Sequence, residues 1–151
     1  MAAPSLKEQL ASAVKDAMRS KDKDRLTTLR MAQAAVKQIE IDERRDLGDD
    51  DVLKVLDKML KQRRDAASQY DDAGRPELAD KERAEMVIIE EFMPAALTED
   101  ELDGLIRQAI STTDAQGMAD MGKVMNELRP QVLGRVEMGH LSKKVRAALA
   151  G

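Results

Sequence analysis

A single histidine, His140, and no cysteine at all bound the chemistry open to this chain of 151 residues. Multi-histidine metal centres, histidine-bridged nucleophile relays, thiolate chemistry and disulfides are excluded by residue type alone. Met121-Gly122-Lys123 holds a lone Gly-Lys without the preceding glycines and following hydroxyl of a phosphate loop, and no Gly-x-Ser-x-Gly elbow occurs. Carboxylate pairs such as Glu82 with Glu85 and Glu90 with Glu91 are frequent. With 36% of residues charged, they read as solvated helix faces rather than acid and base partners. The sequence predicts no catalytic residue, no metal site and no cofactor.

What remains is charge in organised places. Arg30, the neighbours Arg63 and Arg64, and Lys81, Glu82 and Glu85 put opposite signs on segments that a turn at Gly74 to Pro76 should bring antiparallel. They are expected to form inter-helix ion pairs that set register, with a ligand site as the competing use. The net charge of −4 hides an uneven distribution. Residues 1–94 carry 18 basic and 21 acidic groups, residues 95–114 carry Arg107 against five acids, and residues 115–151 carry six basic against three acidic. The six are Lys123, Arg129, Arg135, Lys143, Lys144 and Arg146. Such a segment can meet phosphates, with affinity falling steeply as salt rises. Tyr70 and Phe92 are the only Phe, Tyr or Trp residues and neither lies in it, so the segment lacks the side chains on which sequence-specific single-strand readers stack bases. Any RNA partner would be recognised by backbone and shape. Met118, Met121, Met125 and Met138 suggest core packing, with a peptide-binding surface as the competing use.

The elements that must position these groups are helical. Apolar residues recur at helical spacing throughout, and no sustained period-two alternation supports a strand. Ser5 with Glu8 has capping-box spacing ahead of the stripe Leu6, Leu10, Val14 and Met18. A second helix starts near Asp22 or Asp24 and ends before Gly48. Asp49, Asp50 and Asp51 suit the start of a third, which runs toward Tyr70. Gly74 and Pro76 close a tight hairpin into a fourth, expected over residues 77–93. Thr98 with Glu101 caps a fifth carrying Leu102, Leu105, Ile106, Ala109 and Ile110. A sixth, with Val124 and Leu128, is expected to break at Pro130 and Gly134, and a seventh carries Leu141, Val145 and Leu149. The expected fold is all-α: a four-helix subdomain over residues 1–94, then a smaller three-helix subdomain over 95–151. No apolar run approaches the roughly 18 residues that span a bilayer, and the start of the chain lacks a signal-peptide pattern, so a cytoplasmic protein is expected.

Several ordered motifs resemble the YqeY-like proteins. They are Lys61-Gln62-Arg63-Arg64-Asp65, Ala73-Gly74-Arg75-Pro76-Glu77-Leu78-Ala79-Asp80-Lys81-Glu82, Phe92-Met93-Pro94-Ala95-Ala96-Leu97-Thr98, and Asp120-Met121-Gly122-Lys123-Val124-Met125 followed by Pro130, Gly134-Arg135 and Met138-Gly139. Two positions depart: Glu137 stands where an Asp often follows Gly-Arg, and Asn126 where a small residue is usual. The resemblance implies two helical domains, the second similar to the tail domain of the B subunit of the tRNA-dependent amidotransferase. That enzyme amidates Glu-tRNA(Gln) or Asp-tRNA(Asn) with glutamine as nitrogen donor, and its tail engages tRNA. A carbon–nitrogen ligase activity is thus one implied function. The expectation favoured here is a non-catalytic adaptor for tRNA, or for amidotransferase or aminoacyl-tRNA synthetase components. Lys123, Arg129, Arg135, Lys143 and Lys144 would meet phosphates, with Gly122 and the Pro130 to Arg135 loop placing the backbone. A protein-interaction module with no RNA partner is the remaining alternative.

Overall fold

The computed structural model describes residues 3–151, and all regular structure among them is helical. The helices are α1 (Leu6–Arg19), α2 (Lys23–Glu43), α3 (Asp49–Asp72), α4 (Pro76–Glu90), α5 (Glu99–Thr113), α6 (Met121–Val132) and α7 (Met138–Ala150), with one 3₁₀ turn at Met118–Asp120. The chain divides between Met93 and Pro94 into two compact units. Among the described residues, no helix is long and apolar enough to cross a membrane.

Local signals set most helix ends. Ser5 Oγ accepts from the Glu8 amide and Asp22 Oδ1 from the Arg25 amide, each filling one of the donor positions a helix start leaves open. Thr98 and Glu101 complete a reciprocal capping box, both bonds at 3.1 Å. At the end of α3, Gly74 adopts φ +72°, Arg75 N–H reaches Tyr70 C=O and Gly74 N–H reaches Asp71 C=O. This is the Schellman arrangement, and Pro76 starts α4 directly behind it. The α3–α4 hairpin is therefore written locally.

Two expected ends move. α4 stops at Glu90 rather than Met93; Glu91, Phe92 and Met93 continue only with tightened i→i−3 bonds, since the following Pro94 disfavours helical backbone at Met93. α6 runs past Pro130 to Val132. Proline fixes a helix-compatible φ, and placed in the last turn it removes one terminal hydrogen bond instead of interrupting a long ladder.

In the first unit, Leu10, Leu29, Val52, Leu56 and Ile89 are the largest fully buried side chains. Long-range polar contacts lock their helices: Asp49 at the start of α3 accepts from the Leu6 amide, and Glu40 on α2 accepts from Lys7 Nζ at 2.6 Å and from the Leu47 amide at 2.8 Å. The second unit has its own core of Leu102, Ile106, Val124, Leu128, Leu141 and Val145. Burying each such leucine contributes roughly 1.5–3 kcal/mol, so three short helices can hold together without aromatic residues. The methionines divide. Met125 is buried and Met121 packs against the core, but Met118 and Met138 are exposed, contrary to a core role for all four.

Candidate nucleic-acid interface

The basic groups expected to meet phosphates all lie on α6, α7 or the loop between them, but the fold does not leave them equivalent. Lys144 is drawn into a clamp. Its ammonium is 2.6 Å from Asp103 Oδ1 and also bonds Glu99 Oε2, both on α5. These two carboxylates raise the Lys144 pKa, Asp103 contributing most. His140, one turn earlier on α7, places Nε2 2.7 Å from the other Glu99 oxygen. Lys144 and His140 together hold the Glu99 carboxyl below its usual range, Lys144 contributing more. Glu99 and Asp103, in the first two turns of α5, thus neutralise part of the basic segment that follows in sequence. His140 and Glu99 lie on the surface, where their pairing fastens α5 to α7.

Arg135 is also structurally engaged. Its Nε donates to Ala95 C=O at 3.0 Å, and its own carbonyl accepts from the Leu97 amide at 2.9 Å. Two motifs separated by about forty residues, the Pro94 to Thr98 strap and Gly134-Arg135, are here one paired structure. Gly134 takes φ +72° to turn the chain into it.

Lys123, Arg129 and Lys143 remain on the surface. Lys123 pairs with Asp120 at 3.4 Å yet keeps 63% of its side chain exposed, and Arg129 Nη1 bonds the Asn126 side chain. Asp120 also accepts from the Gln116 amide, which chiefly holds its carboxyl below the usual range. It therefore orders the loop before α6 as much as it screens Lys123. Arg146, counted among the basic residues but left out of the phosphate-facing set, belongs with Lys143: both are exposed and one helical turn apart on α7. Helical spacing is the signal that would have found it.

The charge cluster expected in the first unit is brought together only in part. Arg63 on α3 is buried; it donates from Nε to Glu85 on α4 at 3.1 Å and from Nη1 to the Met59 carbonyl, and Nη2 lies 3.9 Å from Met31 Sδ on α2. Arg30 points elsewhere, toward Met18 Sδ at 3.8 Å. Lys81 is exposed and Glu82 half-buried, and neither forms an ion pair with α3 among the described residues. Another bridge across the hairpin is Arg83 with Asp71. Arg63 and Glu85 thus knit three helices together.

Fold and surface together define an all-helical protein of two units, the second presenting cations on an aromatic-free helix pair. The sequence pattern of the YqeY-like proteins matches residues 7–149, and the chain belongs to that family. It is 27% identical over 91% of its length to a protein of Pyrenophora tritici-repentis named altered inheritance of mitochondria protein 41, mitochondrial, covering 77% of that protein. The protein of the same name from Kluyveromyces lactis is 27% identical, with 93% of this chain and 74% of the other covered. An uncharacterized protein of Schizosaccharomyces pombe is 31% identical over 62% of this chain and 76% of its own.

Proposed function

We propose that this protein is a helical adaptor that binds tRNA, alone or within a tRNA-amidating or aminoacylating complex, through the exposed cations of α6 and α7. The observation that carries the reading is that Lys143 and Arg146 share one open face of α7, while Lys144 and Arg135 are consumed by internal contacts. Lys123 and Arg129 on α6 add two further positive groups. Without aromatic residues in this unit, contacts go to phosphates and sugars and follow the shape of a folded RNA. The cytoplasm is the proposed place of action, and fractionation tests it against the mitochondrial location in the names of two relatives.

Titration of the purified full chain with unfractionated tRNA at two salt concentrations tests the proposal. Binding at low salt that weakens with added salt, and is weakened tenfold or more with a shallower salt dependence in Lys143→Glu/Arg146→Glu, supports it. No binding at low salt, or binding indifferent to that double reversal, removes it. Glutamine-dependent amidation of charged tRNA by the chain alone would instead favour the carbon–nitrogen ligase reading.

A further inference from the structure

The α3–α4 hairpin of the first unit carries an open groove of about 420 Å³. α3 contributes Arg64, Ala67, Ser68 and Asp71; α4 contributes Arg83, Met86, Val87 and Glu90. Both sets have the same grammar: a cation, two small or apolar residues, and an anion at positions i, i+3, i+4 and i+7 of one helix face. The floor is apolar, and Val87 is the most exposed large hydrophobic residue described, at 63%.

Because the two helices are antiparallel, the charges alternate in sign around the groove. Asp71 and Arg83 pair at one end, and Arg64 and Glu90 occupy the other. Turning this pattern over about an axis parallel to the helices exchanges every charge for its opposite. We infer that the groove is a self-complementary interface that takes the same face of a second copy of this chain. α4 lies over the α3 of the second copy. Met86 and Val87 seat on its Ala67 and Ser68, large side chains against small, while Glu90 faces its Arg64 and Arg83 its Asp71. Such an isologous contact closes after two copies and leaves no open end for growth.

The area sets the strength. α4 has 15 residues. At 1.5 Å per residue and about 20 Å of hairpin width, each copy covers roughly 450 Å², about 900 Å² in total. That falls short of the roughly 1,200–2,000 Å² of standard stable interfaces. The dimer is therefore concentration-dependent, with copies exchanging.

Sedimentation velocity on the full chain from about 5 to about 500 µM, the range that brackets a weak equilibrium, reads it directly. The sedimentation coefficient should rise from monomer to dimer. Val87→Glu, at an exposed position, should stay monomeric with unchanged helical circular dichroism. Glu90→Arg should weaken association tenfold or more, and Arg64→Glu/Glu90→Arg should restore it to within about threefold of the parent, since each such pair is worth on the order of one decade. A monomer across the whole range overturns the inference and hands the groove to a helix of another protein. Dimerisation untouched by Val87→Glu overturns it equally, placing the contact on another face.

Discussion

Lys144 near the end of the chain is bonded to Glu99 at the first turn of α5, so the last helix is fastened by charge to the opening of its own unit. The contact joins residues 45 positions apart and turns a cation of the basic segment into a structural one.

Replacing Lys144 should therefore affect stability more than RNA binding. Lys144→Met is expected to lower the melting temperature while leaving tRNA affinity within about twofold, whereas Lys143→Glu/Arg146→Glu should lose roughly 1–2 units of salt slope for the phosphates it no longer meets. Parallel thermal melts and salt-dependent titrations separate the two classes.

The clamp also has a pH window. The Glu99 carboxyl is held below its ordinary 4.5 in the folded chain, so its contribution is present above that value and is lost as pH falls through the lowered folded pKa. The Lys144 pKa is raised above 10.5, so its contribution is present below 10.5 and disappears as pH rises through the raised value. Thermal melts of the parent and Glu99→Gln should differ at pH 7 and converge as pH falls through the lowered Glu99 pKa.

In the first unit, Arg63→Met should cost about 3 kcal/mol, because it strands the half-buried Glu85 carboxylate. Arg63→Met/Glu85→Leu should recover a substantial part, since the stranded charge is then gone. Urea denaturation of both variants gives the comparison.

Arg44 ends α2 in the left-handed region at φ +53°. That conformation costs a residue with a Cβ about 1–2 kcal/mol, part of which glycine returns as extra freedom when unfolded. Arg44→Gly should raise stability by about 0.5 kcal/mol in the same urea assay.

The seven helices, the Thr98–Glu101 box and the Gly74–Pro76 hairpin were legible because their causes are local: a hydroxyl three residues before a carboxylate, a glycine free to take positive φ, an apolar stripe at helical spacing. The fate of individual charges was not. Lys143, Lys144 and Arg146 look alike in sequence, and only the packing of α5 against α6 and α7 decides that Lys144 meets Asp103 and Glu99 while its neighbours face water. Arg63 and Arg64 are adjacent and equally charged, yet only Arg63 is buried, where Glu85 compensates it.

By itself, the sequence determined the all-α class, where most helices begin and end, and the exclusion of cysteine and multi-histidine chemistry, because residue type and near-neighbour spacing are properties of the chain. Tertiary structure decided which charges are spent and which remain available, and that Pro94 to Thr98 meets Gly134-Arg135. Those outcomes depend on Coulomb and hydrogen-bond partners from distant segments, whose separation no periodicity along the chain encodes.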